Sequence, residues 1–418
     1  MAMDVAARAL PPLAPLEAAT KDALPGNSRA AAETTDFALI EDRRAFDALE
    51  SEWNDLFSRA GKPTHVYQTF NFCWHWANHF LASADDLSGI HLSLVIGRRN
   101  GRLIMVWPLV AERVRGITQT FWMGDPVSQY GDALVDIDVD PHQVLGGAFE
   151  FLRRHTKSDI LRLRRVRSDA NIAPLMADIG AHVTDRQIAP FMDLASAADF
   201  ASFEQRYSSK VRRNRRRLAR RLEDKGPVTF VRLHGGIEAR ELAQKAIALK
   251  ALWLKDRGLL STAIADERTT RLFADLAEGR EKPTGCIVAA LQANGKTAAL
   301  EVSFACKRRL AIHLIVYDLD YEKSGVGVLL LEQSLRDGYD EGLQVLDMLA
   351  PGDPYKFDWC DQSDDVLDYT KPLSLKGHLY ARLYLGFLRG RLKLLLKAMP
   401  PPLRRLMRDG YARAALSG

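Results

Sequence analysis

YDLDYEKSGVGVLLLEQSL, Tyr317 to Leu335, runs from the end of an apolar strand-like stretch into an amphipathic helical one, with Gly325 and Gly327 at the joint. The first turn of a helix has four backbone N–H groups without helical partners and carries the positive end of the helix dipole. Preceded by a strand and freed of side chains, such a turn lets an anion such as a pyrophosphate approach the backbone closely. Ser324, Gly325, Val326, Gly327 and Val328 are therefore the candidate anion-binding set. The competing reading is an ordinary helix start in which the glycines supply only backbone freedom.

Outward from this joint the pattern is regular. Upstream, PVTFVRLH reads as a strand, Ile237 to Arg257 and Glu267 to Glu278 as helices, and GCIVAALQA, KTAALEVSFA and LAIHLIVYD as an antiparallel meander turning at Asn294-Gly295 and CKRR. Downstream come the helix GVLLLEQSLRDGYDEG, the strand LQVLDMLA and the segment PGDPYKFDWC. The first half follows the same grammar. Helices are predicted over Asp42 to Ala60 and Thr69 to Phe80, the latter N-capped by Thr69. A hairpin turns at Asn100-Gly101, strands follow at ITQTFWM, DALVDI and DILRLRRV, and helices at His142 to His155 and Asn171 to Asp178. Helices interleaved with mostly antiparallel strands predict an α+β protein. Two halves with one order of elements suggest a duplicated fold with lobes at residues 36–200 and 227–373.

Composition agrees with a two-lobed globular chain. At 418 residues the chain exceeds what one core usually serves, and 47% hydrophobic with 27% charged residues excludes disordered and disulfide-built classes. Cys73, Cys286, Cys306 and Cys360 lack CxxC spacing, which argues against zinc and for a reduced, cytoplasmic setting. His75 and His79 lie four apart on a predicted helix without a third ligand near, so no metal is expected. Residues 1–35, rich in Ala and Pro, read as a disordered leader, and no run of some 18 apolar residues spans a membrane. Residues 374–418 read as a basic helical tail that either caps the second lobe or lies on an anionic membrane surface.

Between the lobes, residues 201–226 contain YSSKVRRNRRRLARRLEDKG. Eight of the twelve residues from Lys210 to Arg221 are cations, and without them the net charge of +5 becomes −3. Basicity is thus local. Phe203, Tyr207, Val211, Leu218 and Leu222 form a narrow apolar stripe, so a connecting helix with one seated face is predicted. Its exposed cations, Lys210, Arg212 and Arg213 among them, fit a solvated face or a wall facing an anionic ligand. Nucleic-acid binding is less supported, since no stacking aromatics interleave the cations.

The strand order, the Gly joint, the basic segment and PGDPYKFDW together resemble the CelD-like, cellulose-biosynthesis-associated acetyltransferases of the GNAT superfamily, whose tandem architecture is similar to that of FemAB-like transferases. The resemblance covers roughly Phe37 to Trp359. It implies tandem GNAT-like domains, an acetyl-CoA or other acyl-CoA donor on the Ser324 to Val328 turn, and a polar or anionic acceptor, glycan- or lipid-linked, in envelope or exopolysaccharide metabolism. Glu322 departs from the superfamily pattern, which has Gln or Arg at that position. Tyr355 is the candidate for protonating the departing thiolate and Lys356 for polarising the acyl carbonyl, with a packed strand as the alternative for both. Glu301, His313 and Asp318 are open choices for the base, because a one-residue change of register decides whether Glu301 or His313 faces the cleft. Gln129, Tyr130 and Asp132 in MGDPVSQYGDALV are candidate acceptor residues, against a plain turn. The alternatives are an aminoacyl-tRNA-dependent transferase, in which the basic helix meets tRNA, and a non-catalytic GNAT-like module.

Overall fold

The computed structural model describes residues 34–82, 86, 89–259, 261–279 and 285–383. Most of the expected leader, and the expected C-terminal helix beyond residue 383 with its membrane contact, lie outside the described residues.

The chain opens with β1 (Asp36–Ile40), α1 (Arg43–Asp47), α2 (Glu50–Ala60) and α3 (Phe70–Phe80). Thr69 caps α3 by accepting from the Phe72 N–H. The expected hairpin turns at Asn100 and Gly101, both with left-handed φ. Each arm is broken, at Ser93 and at Pro108, into β2 (Ile90–Leu92) and β3 (Leu94–Arg99), then β4 (Arg102–Trp107) and β5 (Leu109–Val114). The hairpin is consequently shared by two sheets. β6 (Ile117–Trp122), β7 (Leu134–Val135), α4 (Pro141–His155), β8 (Ile160–Arg167), α5 (Ala173–Asp178) and β9 (His182–Asp193) complete the first half.

The basic segment forms α6 (Phe200–Glu204) and α7 (Ser209–Glu223). Then come β10 (Val228–Leu233), α8 (Ile237–Asp256), α9 (Thr262–Ala265), α10 (Glu267–Glu278), β11 (Cys286–Ala293), β12 (Lys296–Cys306), β13 (Arg309–Tyr317), α11 (Val326–Asp340), β14 (Val345–Asp347), α12 (Pro354–Phe357), β15 (Gln362–Pro372) and α13 (Leu375–Tyr380). Tyr355 and Lys356 therefore sit on a short helix, and the alternating strand offered as their alternative is not formed.

A small sheet has the order β1-β3-β4-β7, and an eleven-stranded sheet the order β10-β11-β12-β13-β14-β9-β15-β8-β6-β5-β2. The large sheet is antiparallel except where β13 meets β14 and β6 meets β8. Its centre holds an exchange. β9, from the first half, pairs with β14, and β15, from the second half, pairs with β8, while β9 and β15 pair with each other. Each half thus ends by adding a strand to the other.

Side chains also interlock across the halves. Tyr67 and Phe72 pack edge-on against Phe304 of β12, at 5.6 and 5.9 Å between ring centroids, and Phe273 of α10 closes the group. Phe72, Phe273 and Phe304 are fully buried, each contributing about 1.5–3 kcal/mol of apolar transfer. This aromatic cluster fixes the first half against the face of the second half on which the site lies.

Candidate active site at the divergence of two strands

β13 and β14 run parallel for three rungs, Arg309–Ala311 against Val345–Asp347, and then part. Two features end the pairing. On β13, Val302 of the neighbouring strand faces Leu314 while Ser303 faces Ile312, so His313 is the extra residue of a β-bulge. On β14, the buried Asp347 carboxylate anchors the last rung. It accepts from the Tyr130 hydroxyl (3.0 Å to either oxygen), from Arg309 Nε and Nη2 (3.0 and 2.7 Å) and from the Leu349 N–H (2.9 Å).

Beyond Asp347 the chain bends at Leu349, whose φ is 57°. Lys356 holds this bend. Its Nζ donates to the carbonyls of Met348 (2.8 Å), Leu349 (2.9 Å) and Pro351 (2.7 Å). An ammonium has three protons, and all three are engaged. Burial pulls the amine down to about 8. Polarising an acyl carbonyl would mean breaking one of these bonds, so the geometry corrects the expected role: Lys356 positions the loop.

Two adjoining cavities open where the strands part, of about 310 and 400 Å³. Lys250, Ile315, Asp353 and Tyr355 line both. The larger is walled by Gly325, Val326, Gly327 and Val328 at the mouth of α11 and faced by Trp253 and Trp359. Gly325 has a left-handed φ of 66°, and an added Cβ would lie 2.7 Å from the Leu218 side chain of α7. Gly327 is different: its nearest neighbour would be 3.6 Å away, so its missing side chain leaves the helix mouth open. Glu322 lines this cavity but is engaged by Arg257 (2.8 Å) and the Tyr317 hydroxyl (3.2 Å), which offsets its repulsion of an anion.

The smaller cavity brings His313, Gln129, Tyr355 and Lys356 together. Burial and then the Arg165 guanidinium pull His313 down to about 3, so its imidazole is neutral near pH 7. Its Nδ1 lies 3.3 Å from the Tyr67 hydroxyl. Burial and then Asp353 push the Tyr355 phenol up to about 12, which keeps it protonated.

The other expected site residues lie elsewhere. Glu301 is buried on the α11 face, takes a hydrogen bond from Ser334 Oγ (2.7 Å) and is pushed up by burial. Its side chain lies across the sheet from His313. Asp318 accepts from the Asp320 N–H (3.0 Å) and caps the turn before α11, and Ser324 is buried outside both cavities. Tyr130 is committed to Asp347. Asp132 takes the backbone N–H groups of Ala133, Asn171 and Ile172 and pairs with His65 (2.8 Å). Lys210 and Arg213 lie on the exposed part of α7, Arg212 is half-buried and bonds Gln205 Oε1, and none of the three lines either cavity. His79 bonds Asp275 (2.7 Å), and among the described residues no group of three or more His, Cys, Asp or Glu side chains is placed to hold a metal.

Sequence reading missed Tyr67, Arg165, Lys250, Thr269 and Asp353. It also left a seven-residue gap in the apolar stripe of the basic helix. Arg215 fills that gap, with its guanidinium 3.6 Å from the centre of the Trp359 ring and 4.1 Å from that of Tyr207. Val211, counted in the stripe, is 39% exposed instead.

Residues 209–357 match the family model described as "Acetyltransferase (GNAT) domain", from the first residue of α7 to the last of α12. They form a GNAT-superfamily domain. Among solved structures, FemX is similar over 83% of this chain and 99% of its own, with 11% identity and a TM-score of 0.53. A tandem GNAT protein from the clavulanic acid biosynthesis pathway matches over 82% and 99% (17% identity, TM-score 0.46). The C-terminal domain of a putative lysylphosphatidylglycerol synthetase from Agrobacterium fabrum matches over 80% and 95% (12% identity, TM-score 0.48). At these identities the likeness is one of fold. No curated protein matches the sequence. The architecture is α+β in the tandem GNAT manner, and both cavities are lined by the GNAT domain, the smaller also by Gln129 and Arg165 of the first half. No helix among the described residues is long and apolar enough to cross a membrane.

Proposed function

We propose that the protein transfers an acetyl or related acyl group from coenzyme A to an amine or hydroxyl acceptor. The observation that carries this reading is the continuity of the two cavities. One is built on the open helix mouth at Gly327, the other holds a neutral histidine, and Tyr355 stands between them. The amides of Val326 and Gly327 would hold the donor's pyrophosphate and the divergence of β13 and β14 its pantetheine arm, while the Gly325 and Val328 N–H groups donate to the Glu322 and Gly325 carbonyls. The thioester supplies an electrophilic carbonyl carbon and a sulfur leaving group.

His313 acts as the base. In the tautomer whose Nδ1–H donates to the Tyr67 oxygen, Nε2 is free to take the acceptor's proton, directly or through one water. The acceptor's nitrogen or oxygen forms the new bond to the carbonyl carbon as the carbon–sulfur bond breaks, and Tyr355 gives its hydroxyl proton to the sulfur. Lys356 acts through position, by holding the loop from Met348 to Pro351 that walls the acceptor side. An envelope or polysaccharide setting rests on the resemblance to the CelD-like group.

The test is calorimetry with acetyl-CoA followed by an acceptor screen with labelled acetyl-CoA. Gly327→Glu is the decisive variant, because it places a carboxylate at the helix mouth without backbone strain. At Gly325 the same change would also displace Leu218. Unchanged binding in Gly327→Glu would overturn the donor site. A tRNA-borne donor is the second reading. It is favoured by the seat of α7 against Gly325, which sets an exposed cationic face beside the same mouth. Salt-sensitive tRNA binding lost on neutralising Arg212 and Arg213 would select it.

A further inference from the structure

Four arginines, Arg162, Arg164, Arg165 and Arg167, lie in six residues of β8. Three are paired with carboxylates. Arg162 and Arg164 meet Asp125 at 3.2 and 3.0 Å, and Arg167 meets Asp169 at 2.8 Å and also Asp364. Arg165 makes no ion pair within 4 Å among the described residues. Its backbone takes a φ of 57°, a conformation that costs a residue with a Cβ about 1–2 kcal/mol. The Asp368 carboxylate holds it there by accepting the Arg165 N–H at 2.8 Å. The twist turns this one guanidinium away from its neighbours' carboxylates and into the smaller cavity.

There its side chain is half engaged. Both side-chain hydrogen bonds leave from Nη1, to the Ser128 carbonyl (3.0 Å) and to Gln129 Oε1. Burial and then the neighbouring Arg164 guanidinium lower its affinity for its own proton, with Asp125 and Asp368 opposing them. Lys250, at the junction of the cavities, and Lys356 are the other cations among the residues lining the smaller cavity, and Asp353 is its single carboxylate. A second, independent feature belongs to the same cavity. Thr269, 1% exposed, lines the same cavity with an Oγ1 that has no hydrogen-bond partner. A partly buried guanidinium without a direct ion pair and a buried, unpartnered hydroxyl are costly unless something binds them.

We propose that the acceptor carries an oxyanion, a carboxylate or a phosphate, held by Arg165 with Thr269 in the smaller cavity so that the acceptor's nucleophile falls at His313. This rests on the acyl-transfer reading of the same site. About 310 Å³ suits a compact headgroup, with the oxyanion only a few bonds from the reacting amine or hydroxyl.

The test is calorimetric titration of the full chain with inorganic phosphate, with sodium propionate and with acetyl-CoA. Phosphate or propionate binding is expected to persist in Gly327→Glu, to weaken at least tenfold in Arg165→Gln and to recover in part in Arg165→Lys. Acetyl-CoA titrating normally into Arg165→Gln shows that this variant is folded, and the Arg165→Lys recovery separates charge from packing. The tighter of the two anions names the headgroup. Absence of anion binding in the unmodified chain, equal affinity in Arg165→Gln, or loss of phosphate binding in Gly327→Glu alone overturns the inference. Anion binding that follows Arg165 in a chain that takes up no acetyl-CoA would leave the oxyanion site standing while the acyl-CoA reading falls.

Discussion

The helix that follows the antiparallel strands begins quite differently in the two halves. In the second half α11 opens on Gly325, Val326 and Gly327, with backbone exposed to a cavity. In the first half α4 opens on Asp140, Pro141 and His142. Proline has no N–H, and the Asp140 carboxylate takes the His142 N–H at 3.0 Å, so this mouth is already capped by an anion of its own. The strands repeat the contrast. Two residues past the last parallel rung stands His313 in one half and the buried Met123 in the other. The first-half gap is filled by Trp122, packed so closely on Gly131 that a Cβ there would lie 2.1 Å from the indole nitrogen. The two halves share an order of elements, and the room for chemistry lies at the second.

The sharpest way to break that comparison is at His313. His313→Gln is expected to lower the acyl-transfer rate by about 10²–10⁴ with acetyl-CoA affinity retained, whereas Met123→Leu leaves the rate within twofold in the same assay. Next is Lys356→Met, which leaves three loop carbonyls without their donor. Chemical denaturation should report a loss of about 2–4 kcal/mol, together with a fall in rate at saturating donor. At the helix mouths, Gly327→Glu should weaken acetyl-CoA binding about 100-fold by calorimetry, a loss of about 2.7 kcal/mol. His142→Glu, the same step into α4, should leave it unchanged.

Smaller effects test the supports. Arg215→Ala removes the stack on Trp359 and should cost about 1–2 kcal/mol in thermal unfolding. The pH response of stability should carry the mark of His313. Its folded value is held near 3 while the unfolded imidazole titrates near 6.5, so on acidification the unfolded chain takes up the proton first. The stabilising contribution is therefore complete above about 6.5 and is lost as pH falls toward 3, with a slope of at most about 1.4 kcal/mol per pH unit. His313→Gln should flatten that part of the profile. An unchanged slope would mean that the imidazole is not shielded as described.

Much of this architecture was legible in the residues. The second-half helices, the meander, the Gly joint and both Asn-Gly turns follow from period and turn chemistry, because each is decided locally. What escaped reading is what depends on the partner strand. β9, HVTDRQIAPFMD, and β15, QSDDVLDYTKP, show weak alternation and several acids, since their pairing is set by the opposite half rather than by a buried face of their own. The site divides in the same way. The helix mouth and the PYK segment announce themselves, but Arg165 is one of four arginines in a run, singled out only by a backbone twist. His313 and Glu301 were indistinguishable until the bulge on β13 set the register. Arg215 looked like one more surface cation, because a guanidinium that packs on an indole has no apolar letter in the sequence.

The crossed strands β9 and β15 also govern how this chain can be cut. The segment that matches the GNAT family model, residues 209–357, contains neither of them. Expressed by itself it would present β14 as a bare sheet edge, ready to pair with the next copy. It would also lack Gln129 and Arg165 on the acceptor side. A working half-length protein from this gene would have to carry a transplanted strand, as in a circular permutant that brings His182–Asp193 along as a donated terminus. With a strand given in each direction, the chain has no seam along which to divide.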